Sequence, residues 1–142
     1  MFKHNEFLLK MKSNKLTNIK FLIFAGIRRY LLFVGMNLLP FSHLRILLMR
    51  ICGISVGKGN YIGFNVMPDT NFPELIKIGN NVTISHNVQL ITHTASPVNS
   101  FLSSKYKLSK KILIKDGSWI GIGAIILPGT SIEENCFIGA GS

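Results

Sequence analysis

The segment DGSWIGIGAIILPGTSIEENCFIGAGS, Asp116 to Ser142, places an isoleucine at every sixth residue: Ile120, Ile126, Ile132 and Ile138, with Ile114 one step ahead of it. Two residues before each of the last four stand the small side chains Ser118, Ala124, Thr130 and Cys136. An amphipathic helix repeats its apolar face every 3.6 residues and a simple strand every second residue, so a strict period of six fits neither. It fits a parallel β-helix, in which each hexad supplies one short strand and one corner. The isoleucine points inward and stacks on its equivalents in the adjacent coils. The small residue also points inward, where the cross-section is narrow.

The same step runs through the earlier block at Phe72, Ile78, Ile84 and Leu90, with Val56 and Ile62 ahead of it. Glycine follows the apolar residue at Gly57, Gly63, Gly79, Gly121 and Gly139. Glycine and asparagine suit tight corners because both tolerate positive φ. The segment SSKYKLSKK, Ser103 to Lys111, breaks the hexads and carries four lysines, which reads as a loop insertion near residues 95–111. A solenoid needs closed ends. The sequence stops at FIGAGS, directly after an inward isoleucine, so it reads as continuing beyond Ser142 or as covered there by a partner.

Residues 1–53 have a different character. The net charge is +10, and residues 1–58 carry ten of the sixteen basic side chains against Glu6 alone. That basicity accompanies no nucleic-acid-binding motif. It fits a membrane surface or an anionic partner better. Two apolar runs, Phe21–Ile27 and Tyr30–Met36, are separated by Arg28 and Arg29. Each arginine at the centre of a spanning helix costs about 2.5–3.5 kcal/mol, which disfavours a transmembrane segment. Pro40 should break this helix, Ser42 can cap a second, and Gly53 can end it. Leu44, Leu47, Leu48 and Ile51 would share its inner face, with Arg45 and Arg50 off it. Cys52 and Cys136 indicate no disulfide framework and read as packing residues. The chain therefore divides into a helical region, 1–53, and a hexapeptide domain, 54–142. Its fold class is all-β, a parallel β-helix with an N-terminal α-helical region.

Taken together, Asp116–Ser142 and PELIKIGNNVTISHNVQLITH, Pro73 to His93, resemble the coils of bacterial acetyl-CoA-dependent O-acetyltransferases. The similarity covers about residues 50–142 and points to the maltose, galactoside and nodulation types and to the capsule, colanic-acid and lipopolysaccharide modifiers. The resemblance implies a left-handed coil, a homotrimer with sites between subunits, acetyl-CoA as co-substrate, no metal, and a loop histidine acting on a sugar hydroxyl. The absence of a disulfide framework reads as a cytoplasmic protein, and the basic, apolar N-terminal region as a peripheral contact with the inner face of the membrane.

In VQLITHTASP, Val88 to Pro97, His93 directly follows a coil, and it matches the family form that reads LTHDGS. The maltose-type members have their histidine where Ala95 stands. Histidine suits a general base because its unperturbed pKa is near 6.5. His93 is thus the expected catalytic residue, with His86 the runner-up at a corner. Asn65 and Asp69 match positions that contact the acceptor or orient the histidine, and Glu74 is a further orienting candidate. Gly121, Ile122 and Ala140 match positions that hold the pantetheine arm of CoA, and Trp119 reads as shielding a corner. A γ-carbonic-anhydrase-like metal site would need three histidines, and the coils offer only His86 and His93. The remaining alternative is a non-catalytic coil that forms trimers or docks on membranes.

Overall fold

The computed structural model of the chain describes residues 15–94, 101 and 109–142, with side chains from Leu22 onward. Helix α1 spans Lys15–Leu38 and helix α2 spans Ser42–Ile51, and the break falls beside Pro40. Eleven short strands follow: β1 Ser55–Val56, β2 Tyr61–Ile62, β3 Met67–Pro68, β4 Ile76–Ile78, β5 Thr83–Ile84, β6 Gln89–Leu90, β7 Ile112–Ile114, β8 Trp119–Ile120, β9 Ile125–Ile126, β10 Ser131–Ile132 and β11 Phe137–Ile138. They form three parallel faces in the orders β1-β4-β7-β10, β2-β5-β8-β11 and β3-β6-β9. Each of the first three coils contributes one strand to each face, and β10 and β11 belong to a fourth, which is the β-helix expected from the hexads. With two helices packed into its core, however, the chain is not strictly all-β.

The cross-coil register shows how the repeat is built. Leu113 pairs with Ser131, at a separation of 18 residues or three hexads. Ser55 pairs with Lys77 at a separation of 22, and Lys77 with Leu113 at 36. The chain therefore carries four extra residues between β3 and β4 and eighteen between β6 and β7, both leaving the same face. Elsewhere the stacking is regular: Ile62, Ile84 and Ile120 lie under one another, all fully buried. Full burial of such a side chain contributes roughly 1.5–3 kcal/mol, so each stacked isoleucine helps to hold one coil on the next. The corners turn in the left-handed region at Asn65, Asn81, Asn87 and Asn135, with φ between 53° and 61°. Asparagine reaches that conformation more readily than other residues with a Cβ.

Phe72 departs from the expected inward row. It precedes a 3-10 turn, Pro73–Leu75, within the four-residue insertion, and it is only half-buried. Pro68 takes the equivalent buried position, paired with Leu90.

Helix α2 also departs from expectation. Its buried residues are Arg45, Ile46 and Met49, whereas Leu47 is 52% and Ile51 69% exposed. Leu44 and Leu48 stay half-buried, with Leu48 on the core, so the face is rotated toward two carbonyls, that of Ile62 in the first coil and that of Leu39 after α1. Arg45 answers them: its Nε and Nη2 donate to the Ile62 carbonyl at 3.0 and 2.8 Å, and its Nη1 donates to the Leu39 carbonyl. The guanidinium also lies 4.2 Å from the centre of the Phe64 ring. Nor does Ser42 cap α2. Its hydroxyl accepts the Ile62 N–H at 2.7 Å, and Phe41 occupies the N-cap without a side-chain bond. Gly53 follows the helix at φ 100°. No described helix is long and apolar enough to cross a membrane.

Replacing Arg45 with methionine strands the buried Ile62 carbonyl and should cost about 1–3 kcal/mol, the range for a buried acceptor that loses its donor. Leu47→Ala should stay within about 0.5 kcal/mol, as at most exposed sites. Urea unfolding of the two variants checks this order, which is the reverse of the one the helical periodicity implies.

Candidate active site

The two insertions leave the third face at the same corner in successive coils, so their first residues stack. The offset of 22 residues sets Asn71 level with His93, and the Asn71 Nδ2 lies 2.9 Å from the His93 Nε2. The other ring nitrogen, Nδ1, is 2.5 Å from the Asp69 Oδ2. The same Asp69 oxygen accepts from the Thr92 hydroxyl at 2.6 Å and from the Thr92 N–H at 3.0 Å. The Asp69 Oδ1 accepts the Asn71 N–H at 2.8 Å, closing an Asx turn that presents Asn71 to the ring. Phe72 meets His93 edge to face at 5.3 Å. Both ends of the longer insertion close at the same place: His93 bridges Ser109, and Lys110 N–H donates to the Thr92 carbonyl.

Asp69 is buried. Burial alone would raise its pKa, but bonds from the Thr92 hydroxyl, His93, and the N–H groups of Asn71 and Thr92 outweigh burial and hold it below the usual carboxylate range. It is therefore ionised near neutrality and accepts the Nδ1 proton of His93. That leaves Nε2 as the accepting nitrogen, which faces the Asn71 amide. The arrangement suits proton abstraction at Nε2, with Asp69 orienting the ring and stabilising the imidazolium that forms.

Among the expected orienting residues, only Asp69 reaches the histidine. Asn65 is a left-handed corner residue whose Nδ2 donates to the Asn87 Oδ1 at 2.8 Å. Glu74 stands exposed on the 3-10 turn, and no contact joins it to His93. His86 is likewise a corner residue, stacked on Phe64 with its Nδ1 accepting the Phe64 N–H at 3.0 Å. Asn71 is the residue that sequence reading missed. Its signal was present in the offset between the Val56–Ile62 and Ile78–Ile84 pairs, which places Asn71 one coil below His93.

The expected cofactor positions lie on a different corner, at the junction of the last two coils. Gly121 is buried, and its N–H donates to the Ile138 carbonyl at 2.8 Å. A Cβ there would meet the backbone of Ile138, Gly139 and Ala140 at 2.6–2.8 Å, so this glycine serves the close approach of one coil to the next. Ile122 and Ala140 present surface at adjacent corners. Trp119 is half-exposed on the outer face of β8, 4.9 Å from Phe137. Cys52 is buried, which pushes its thiol up and accords with a packing role. Between α1 and β3, a cleft of about 210 Å³ lined mostly by Leu32, Phe33, Met36, Val66, Met67 and Pro68 opens beside Thr70, on the turn that carries Asp69 and Asn71. The central part of the 95–111 insertion, with Lys105 and Lys107, lies outside the described residues, as do residues 1–14 with Lys3, Lys10 and Lys12.

Because Asp69 is held below its ordinary range, its bonds contribute stability in full above the unfolded carboxyl's pKa of about 3.9. That contribution fades as pH falls through the lower folded value. Asp69→Asn should therefore be less stable than the parent chain at pH 6, with the gap narrowing below about pH 4. Thermal unfolding of both proteins across this range measures it.

The bacterial transferase hexapeptide family (six repeats) matches residues 111–142. The chain is 34% identical over 125 residues to YvoF of Bacillus subtilis (strain 168), a provisionally named acetyltransferase, covering 87% of this chain and 64% of that protein. It is 38% identical over 93 residues to a galactoside O-acetyltransferase of Lactococcus lactis (strain IL1403), covering 63% of this chain and 42% of that one. The chain thus spans less than two thirds of the length of either relative. Among solved structures, a galactoside acetyltransferase in complex with coenzyme A superposes with a TM-score of 0.52 at 25% identity, over 82% of this chain and 70% of its own. A maltose O-acetyltransferase of Clostridium difficile 630 shares the fold, with a TM-score of 0.53 at 24% identity over 91% and 77% of the two chains. With its parallel three-faced coil, the chain carries the hexapeptide repeat over residues 111–142 and is similar in fold and sequence to the galactoside O-acetyltransferases.

Proposed function

We propose that this chain belongs to an O-acetyltransferase that moves an acetyl group from acetyl-CoA to a sugar hydroxyl. The observation that carries the proposal is the ring of His93, held by ionised Asp69 on Nδ1 and facing Asn71 through Nε2, where two insertions leave the coil at stacked positions. The similarity to galactoside O-acetyltransferases supports both the reaction class and the donor.

Acetyl-CoA supplies an activated carbonyl whose C–S bond breaks as the acceptor oxygen attacks. The protein's part is proton management. His93 Nε2 takes the hydroxyl proton as the new C–O bond forms, and the departing thiolate recovers that proton from the imidazolium. Asp69 holds the ring in the required tautomer throughout. A positioned base of this kind is worth roughly 10²–10⁴-fold in rate. In this reading Ile122 and Ala140, exposed at adjacent corners, flank the pantetheine arm.

The acceptor in this reading is a cell-surface polysaccharide or its precursor. What supports it is the basic N-terminal region together with the exposed apolar residues Leu22, Ile23, Phe24 and Ile27 of α1, a composition suited to the inner face of a membrane. A homotrimer with sites between subunits completes the reading, and the exposed Trp119 and Phe137 offer apolar area for such contacts.

Release of CoA thiol from acetyl-CoA in the presence of glycan acceptors tests the proposal. His93→Ala should lower kcat by about 10²–10⁴-fold in a chain that still folds, with some loss of stability because Asp69 gives up one of its bonds. Undiminished turnover in that variant would remove His93 as the base.

A further inference from the structure

Sequence reading treats Arg28 and Arg29 only as charges that interrupt an apolar helix. In the structure both reach the turn that carries the candidate active site. The Arg28 Nη2 donates to the carbonyl oxygens of Thr70, at 3.4 Å, and Asn71, at 3.2 Å. The Arg29 Nη2 donates to the Asn71 Oδ1. The helix thus grips both the backbone and the side chain of the residue that touches His93 Nε2.

The chemistry of these groups fixes the direction of every bond in the chain. A guanidinium has five N–H donors and no acceptor. The end of the Asn71 amide facing Arg29 must therefore be its oxygen, and the amino end must face His93. An amino group donates, so His93 Nε2 must accept, and the ring proton must lie on Nδ1, where Asp69 receives it. Reversing the Asn71 amide would set its N–H₂ against a cation and its oxygen against a nitrogen lone pair. Arg29 and Asp69, at opposite ends of one chain of hydrogen bonds, thus require the same tautomer. The Asn71 N–H also occupies the place on Nε2 that an incoming hydroxyl must take.

We infer that Arg29 is a positioning residue of the active site, acting through Asn71 to hold His93 with its proton on Nδ1 and Nε2 as an acceptor, a place that the substrate hydroxyl takes over from the Asn71 N–H. This inference rests on the reading of His93 as the base. Helix α1 is on this view a working part of the site, through the contact that its two arginines make with the 70–71 turn.

Arg50 provides a matched control. It is also a helix arginine that donates to coil carbonyls, those of Val56 and Gly57, but it has no link to His93. The test is carried out on the full chain with Arg29→Met, Arg29→Lys, Asn71→Ala, Asn71→Asp and Arg50→Met. Diethyl pyrocarbonate acylates an unprotonated imidazole nitrogen, and peptide mass mapping separates His93 from the other histidines. Arg29→Met and Asn71→Ala should each raise the rate of His93 modification several-fold, toward the tenfold equivalent of one hydrogen bond to a charged group. Arg29→Lys should recover part of the protection, and Arg50→Met should leave the rate unchanged. In turnover, Asn71→Asp should move the acid limb of kcat/KM to higher pH, because a carboxylate beside Nε2 favours a proton there.

Equal His93 modification rates in Arg29→Met, Arg50→Met and the parent chain would overturn the inference. If Arg29→Met does not fold, Asn71→Ala decides the same point. The modification rates need no acetyl transfer, so a chain without turnover but with the expected protection pattern would defeat the proposed function and leave the positioning role standing.

Discussion

Each coil must set its inward side chains directly on those of the coil below, and the other features of this molecule answer to that demand. The ladder allows extra residues only where they can leave the stack, and both insertions leave from the same corner, between β3 and β4 and between β6 and β7. Two loops that exit one above the other bring their first residues together without further design. Asp69 and Asn71 come from the lower loop and Thr92 and His93 from the upper, and the site is the seam between them. Polar residues gathered there satisfy one another, which is why the carboxylate stays ionised despite its burial.

The stacked coils leave one end that the helices must close. Arg45 is 1% exposed and spends its guanidinium on the carbonyls of Ile62 and Leu39. A charge at that depth is tolerable because it is bonded on several sides and stacked on Phe64. Leu32, Met36 and Met49 join the same apolar cluster as the stacked isoleucines. The leader helices are accordingly continuous with the coil core. The grip of Arg28 and Arg29 on the 70–71 turn carries that continuity to the histidine.

The coil was legible in the sequence because its period is physically rigid: a strand, a corner and an inward isoleucine recur every six residues, with no room for drift. His93 was legible as the first ionisable residue after a coil, and Asp69 through the family likeness. What the sequence concealed depended on where the insertions fell. Phe72 lies on the hexad count but inside the four extra residues, so it sits beside the histidine and Pro68 fills the coil. Asn65 has the right residue type for acceptor binding, yet its position is a corner where positive φ selects asparagine for backbone reasons. The inner face of α2 was misread because helical periodicity counts apolar residues, whereas the coil's end required a hydrogen-bond donor. Asn71 escaped notice because its importance comes from a partner 22 residues away and from Arg29 across the helix interface, neither of which any local pattern records.

The central claim is that cross-coil stacking presents His93 with its proton on Nδ1 and its lone pair on Nε2. Long-range ¹H–¹⁵N correlation spectra of the imidazole rings, with His93 assigned by its loss in His93→Gln, observe this directly. In the neutral ring, the Nδ1 resonance should be that of a protonated nitrogen and the Nε2 resonance that of an unprotonated acceptor. A proton found on Nε2, or an even mixture of the two tautomers, would contradict the account.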